Sequence, residues 1–227
     1  MWRQWRHVTK LDPAKQISDK DLKLVATSGT DMLLIGGTQD VTREKVASLI
    51  KRLEPYDVAR VQEPSSPENV VFEGVDYYFI PSVMNSQDPR WIVGLHMEWI
   101  KDWRAMLGEL PWEKIAGEAY IVLNPKSAVA KATKSRTNLK IEEAVAYAKC
   151  AEKYLHFPIV YIEYSGTYGD PRLVEQVRGS LTEAHLFYGG GIDNRQRASE
   201  MAKYATIIVG NVLYDDMDSY LETLRYE

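Results

Sequence analysis

A single cysteine, Cys150, stands in a chain of 227 residues. It excludes an internal disulfide and any cysteine-based zinc site, and a reducing, cytoplasmic setting fits that count. No apolar run approaches the ~20 residues that a membrane span needs. The opening Met1-Trp2-Arg3-Gln4-Trp5-Arg6 lacks the apolar stretch of a signal peptide. Positive charge is not in excess: the formal net charge is −4, which argues against nonspecific nucleic-acid binding. Four histidines (His7, His96, His156 and His185) have no spaced partners for a zinc site or a Ser-His-Asp triad. Repeats and low-complexity tracts are missing as well. What is present is ordinary globular material, 45% hydrophobic, with 14 tyrosines and 6 tryptophans. The aromatics suit a core and an interface, Trp2, Trp5 and Trp112 among them, or the wall of a long apolar ligand site.

Short β-type runs alternate with helical patterns throughout. Strand candidates are His7–Leu11, Met32–Gly36, Val58–Gln62, Tyr77–Val83, Ala119–Leu123, Pro158–Tyr164, His185–Tyr188 and Thr206–Val209. Several are continuously apolar, as expected where both faces are covered. Helical patterns run over Asp19–Ser28, from Thr42 through Leu53, and over Pro89–Leu107, Glu142–Leu155, Pro171–Leu181, Asn194–Tyr204 and Tyr214–Leu224. Pro111–Gly117 and Lys126–Asn138 read as longer loops with some helix. One interval breaks the rhythm: Pro64-Ser65-Ser66-Pro67-Glu68-Asn69 opposes a full helix. Eight strands in strict alternation predict one α/β domain over residues 1–227, a (β/α)₈ TIM barrel whose third helix is loose or missing.

In such barrels the site lies at the C-terminal ends of the strands. The first strand ends Lys10-Leu11-Asp12, placing a point charge for phosphate beside a hard oxygen ligand for magnesium. The second ends Gly36-Gly37-Thr38, with a hydroxyl that can reach metal or phosphate. After the third come Glu63, Ser65 and Ser66, suited to a diphosphate–metal unit. The sixth, Tyr161-Ile162-Glu163-Tyr164-Ser165-Gly166, puts Tyr161, Glu163 and Ser165 on one face. Glu163 is either a hydroxyl-orienting group or base, or a buried carboxylate paired with Lys10 or another cation. The seventh ends Gly189-Gly190-Gly191 and the eighth Val209-Gly210-Asn211. Glycine permits close backbone approach, and helix N-termini behind these strands would add positive potential, so the pair reads as a phosphate cradle. Taken one at a time, most of these ends are as well explained by turns and surface ion pairs. Together they describe a metal corner and an anion corner, arranged for two anionic substrates.

The chain resembles the geranylgeranylglyceryl phosphate synthases, archaeal prenyltransferases of ether-lipid biosynthesis. The likeness spans essentially the whole chain. It rests on Trp5–Pro13, Ile35–Gln39, Phe79–Ser86, Tyr161–Gly169, Leu186–Ile192 and Val209–Asn211. It implies a modified TIM barrel, sn-glycerol-1-phosphate as acceptor, a polyprenyl diphosphate as donor, magnesium as cofactor and a homo-oligomer, dimer or larger. By position it implies that glycerol phosphate contacts Lys10, Tyr161, Ile162, Glu163, Tyr164, Ser165, Gly166, Gly191, Gly210 and Asn211, and that Asp12 and Thr38 hold magnesium. Lys10 would stabilise the departing diphosphate while Glu163 orients the acceptor hydroxyl or takes its proton. The family's chain-length position matches Trp99, whose indole would block an apolar groove about four isoprene units along and so favours geranylgeranyl diphosphate.

Other readings are the same reaction with a heptaprenyl donor, a phosphate-binding barrel aldolase or isomerase, and a metabolite-binding module without turnover. Magnesium-dependent diphosphate release separates the prenyltransferase from the last two. Lipid substrates admit peripheral contact with a membrane, although no amphipathic anchor is evident in the sequence.

Overall fold

The structure, a computed structural model, describes residues 2–226. Eight parallel strands close into a barrel in chain order, the last pairing with the first. The order is β1 (His7–Leu11), α1 (Asp19–Ala26), β2 (Met32–Ile35), α2 (Arg43–Leu53), β3 (Ala59–Gln62), β4 (Tyr77–Val83), α3 (Gly94–Leu107) and β5 (Ile115–Val122). There follow α4 (Ala128–Thr133), α5 (Ile141–Lys149), β6 (Ile159–Glu163), α6 (Pro171–Ser180), β7 (His185–Gly189), α7 (Arg195–Met201), β8 (Thr206–Val209), α8 (Val212–Asp215) and α9 (Met217–Glu222).

Strand alternation sorts the apolar residues into two cores. Val8, Met32, Leu34, Val61, Phe79, Tyr120, Tyr161, Phe187 and Ile208 fill the barrel interior. Their neighbours Leu33, Ile35, Ile121, Ile162 and Tyr188 face outward into the layer under the helices. Trp2 and Trp5 pack their rings on Phe79, at centroid distances of 5.8 and 6.2 Å. Trp5 is buried in that interior core and Trp2 packs against it, so this pair belongs to the barrel core rather than to an exposed interface, whereas Trp112 is half exposed.

Local signals start the helices where expected. Ser18 and Thr42 accept from the backbone N–H of Asp21 and Lys45 at the starts of α1 and α2. Between β3 and β4 there is only a single 3₁₀ turn, Pro67–Asn69, which leaves the flank of the barrel open. Four departures from the sequence pattern stand out beyond shifts at element ends. β5 begins at Ile115, inside the stretch read as loop, because it pairs with β4 from Tyr78 onward. The Pro89–Leu107 pattern opens with a 3₁₀ turn at Pro89–Trp91 before α3 begins at Gly94. α5 gives way to a π turn at Cys150–Tyr154. There the buried Glu152 accepts from the backbone N–H of Thr182, Glu183 and Ala184. Burial alone would raise its pKa, but the three N–H groups bring it down to about 2. Finally, the pattern over Tyr214–Leu224 is two short helices separated at Asp216, which caps α9 through Asp218 and Ser219.

Candidate functional site

The C-terminal ends of the strands open into two joined cavities. One, of about 600 Å³, is polar and bounded by Lys10, Asp12, Thr38, Ser165, Gly191 and Gly210 among others. The second is narrower, about 140 Å³, and runs toward the open flank between Val70, Ile80, Leu95, Trp99 and Trp103. Lys10, Gly37, Thr38 and Ser165 line both. Asp12, just after β1, and Gly191, just after β7, therefore share a chamber.

Glycines make up a third of the residues that line the polar chamber. Gly191 has φ +57°, and a Cβ there would lie 2.3 Å from the Tyr168 nitrogen; one on Gly189 would lie 2.1 Å from the Tyr161 hydroxyl. These glycines are demanded by the protein's own β6 and the loop after it as much as by any ligand. Gly210 differs, since a Cβ there would meet only Lys10 at 3.4 Å. The helix N-terminus expected behind β8 is a single turn, Val212–Asp215, too short to carry the macrodipole of a full helix. Asn211 is held at the rim by Lys15, whose Nζ donates to its Oδ1 at 3.0 Å.

At the opposite wall Asp12 Oδ1 accepts from Ala14 N at 2.9 Å, and the Asp12 N–H donates to the Tyr214 hydroxyl at 2.8 Å. Gly37 lies so close that a Cβ would fall 2.5 Å from Asp12 Oδ1. The carboxylate and Thr38 thus border the chamber with no side chain from Gly37 between them. A carboxylate and a hydroxyl are hard oxygen donors that fit magnesium when substrate phosphates and water complete its shell. Among the described residues no group of three or more His, Cys, Asp or Glu side chains is gathered for a metal, so a protein-only cage is not what these residues form.

Beneath the chamber lies a polar network that sequence spacing does not disclose. Lys10 Nζ donates to Glu63 Oε2 at 2.5 Å, and the Tyr120 hydroxyl donates to Glu63 Oε1. Lys10 also stands 5.9 Å from the Tyr161 ring centroid. Lys10, the cation named as a partner for Glu163, is therefore bonded to Glu63 instead. Glu163 accepts from the Ser165 N–H at 2.5 Å and feels Lys10 only through space. Burial raises its pKa despite Lys10 and Ser165. For Lys10 burial pulls the pKa down, yet Glu63 and Glu163 outweigh it and the net shift is upward.

Of the residues singled out in the sixth strand, Tyr161, Glu163, Ser165 and Gly166 line the cavities. Ile162 does not: its side chain is buried in the outer core. Tyr164 packs against that same core, with Gly169 and Gly190 pressed on its ring and Cβ, and its part in the site is through its neighbours. Trp99 lies 7% exposed in the apolar arm, edge-on to Trp103 at 4.7 Å. The residues that sequence reasoning missed are Tyr120 and Glu118, both inward-facing on β5. Their signal was the period-two alternation back from Val122: Tyr120 lay within the strand read as Ala119–Leu123, and Glu118 was hidden by starting that strand at Ala119.

The profile of the PcrB family matches residues 1–226. The chain is 49% identical over 222 residues to the geranylgeranylglyceryl phosphate synthase of Methanoregula boonei, covering 97% of this chain and 96% of that one. It is 44% identical over 223 residues to the heptaprenylglyceryl phosphate synthase of Lysinibacillus sphaericus, covering 98% and 96%. Among solved structures, the (S)-3-O-geranylgeranylglyceryl phosphate synthase from Thermoplasma acidophilum, in complex with sn-glycerol-1-phosphate, superposes with a TM-score of 0.83 at 23% identity, covering 97% and 91%. At that identity the last likeness speaks for the fold.

Proposed function

The chain belongs to the PcrB family, and from that premise we propose that it is a prenyltransferase joining the 3-hydroxyl of sn-glycerol-1-phosphate to geranylgeranyl diphosphate. The observation that carries the reading is the pair of joined cavities: a polar chamber for two anionic groups and an apolar arm, meeting at Lys10. Names among the relatives include both geranylgeranyl and heptaprenyl enzymes. Trp99 in the apolar arm supports the shorter donor, because an indole there fills space that a longer chain would need.

The chemistry follows from where charge develops. The donor C1–O bond breaks, its electron pair leaves with diphosphate, and the acceptor oxygen bonds to C1 as its proton departs. Lys10, held charged by Glu63, meets the negative charge building on the leaving group. Backbone at Gly191, Gly210 and Asn211 holds the glycerol phosphate, so that its hydroxyl is presented at high effective concentration. Glu163, with its pKa raised by burial, is suited to orient that hydroxyl and receive its proton. Asp12 and Thr38 would hold magnesium, which when bound with the diphosphate supplies further neutralisation of the leaving group.

A homo-oligomer and peripheral contact with a membrane belong to the same reading. They are supported by exposed apolar side chains on α3 and its flanks, Val93, Met97, Met106, Leu107 and Trp112. No helix among the described residues is long and apolar enough to cross a membrane. The test is incubation with radiolabelled glycerol-1-phosphate and a ladder of prenyl diphosphates, with and without magnesium. Ether product peaking at the geranylgeranyl donor and lost on chelation is expected; no labelled lipid with any donor would overturn the reading.

A further inference from the structure

Among the described residues, a carboxylate with both oxygens buried and unmatched is Glu118, on β5. It is fully buried, and neither carboxyl oxygen accepts a hydrogen bond. An ionised carboxylate in that position would give up its hydration for nothing in return. The charged and titratable groups around it come from four elements: Lys10 on β1, Glu63 after β3, Tyr120 on β5 itself, and Tyr161 and Glu163 on β6. Lys10 and Tyr120 are both bonded to Glu63. Glu118 is therefore left facing Glu63 with no donor of its own. Two ionised carboxylates in contact repel, and neither can donate; one proton between them turns the repulsion into a hydrogen bond. Glu63 already accepts from an ammonium and a phenol, so the negative charge resides there and the proton belongs on its neighbour.

We propose that Glu118 is a neutral carboxylic acid donating a hydrogen bond to Glu63, and that this buried pair is the positioning device that holds Lys10 at the mouth of the site. Burial first, and the Glu63 charge second, push the Glu118 pKa well up, in agreement with the geometry. Glu63 is then bonded to Lys10, Tyr120 and Glu118 at once. A carboxylate fixed by three donors is a rigid anchor, and a lysine anchored from below presents its remaining protons to the cavities. Glu118 touches no substrate in this arrangement; it acts through Glu63 and Lys10.

The kinetic half of the proposal rests on the prenyltransferase reading, and the spectroscopic half does not. Infrared difference spectra of the full chain at pH 8, wild type minus Glu118→Gln and without substrates, are expected to show one protonated-carboxyl band lost. Absence of that band overturns the proposal and leaves the reaction untouched. In kinetics with saturating donor, Glu118→Leu removes the donor to Glu63 and lowers kcat/KM for glycerol-1-phosphate at least about tenfold. Glu118→Gln, whose amide is a permanent donor, restores it to within about threefold. Equal losses in the two variants, or none in Glu118→Leu, would overturn the positioning role. Should Glu118→Leu fail to fold, the infrared band and the Glu118→Gln rates still decide. Absence of turnover in the wild type, with the band present, would instead count against the assigned reaction.

Discussion

The two arms of the mouth are made of different material. The polar chamber is rich in glycine, with Gly37, Gly189, Gly191 and Gly210 among its lining, set beside polar side chains such as Lys10, Asp12 and Thr38. The apolar arm is shaped by side chains, with Trp99 and Trp103 of α3 against Val70 and Ile80 where a third helix would otherwise stand. The difference suits what each would hold in the proposed reaction. A phosphate is compact and satisfied by amide N–H groups at fixed distance, whereas a hydrocarbon needs only excluded water and the right volume. One arm therefore tolerates little change in backbone, and the other can be resized one residue at a time. Lys10 stands where they join.

Removing what the arms share should break the comparison altogether. Lys10→Met takes away the ammonium that faces both cavities and leaves Glu63 buried without its cation, and we expect kcat/KM to fall by about 10³, measured as diphosphate release. Retention of a tenth of wild-type turnover would show that the joint lies elsewhere. Next in size is Glu163→Gln, with kcat down by about 10² and KM little changed. The wild-type enzyme should also gain activity as pH rises through a pKa above the ordinary glutamate value, because burial raises it and the base must be ionised to act. That rising limb should vanish from the Glu163→Gln profile; turnover equal to wild type would remove Glu163 from the chemistry.

Two alanine substitutions sharpen the contrast inside the chamber. Gly191→Ala adds a Cβ against the Tyr168 backbone at φ +57°, so the melting temperature should drop by several degrees, corresponding to about 1–3 kcal/mol. Gly210→Ala meets no such clash in the protein and should leave melting unchanged while raising KM for glycerol-1-phosphate about tenfold through lost close approach. If both variants behaved alike, the distinction between a structural and a ligand-facing glycine would be lost. The smallest effect on rate, and the clearest on selectivity, is expected from Trp99→Ala. It should extend the accepted donors beyond geranylgeranyl with kcat for the native donor within about fivefold. An unchanged donor profile in a mixed-donor competition assay would mean that the arm is bounded by another residue.

Much of this was legible before any tertiary contact was known. The alternation of apolar runs and helices announced the barrel, because strands covered on both faces and amphipathic helices leave different periodicities. The prolines at 64 and 67 announced the missing helix. Lys10, Asp12, Glu163 and the glycine endings could be placed because barrel strands deliver their C-terminal residues to one rim. What alternation cannot say is which inward residue meets which across the interior. Lys10 and Tyr120 converge on Glu63 from 53 and 57 positions away in the chain, and Glu118 is left without a donor only because of that convergence. Periodicity is a local property and belongs to the sequence. Pairing in a closed barrel depends on strand order, register and burial together, and those exist only once the sheet has closed.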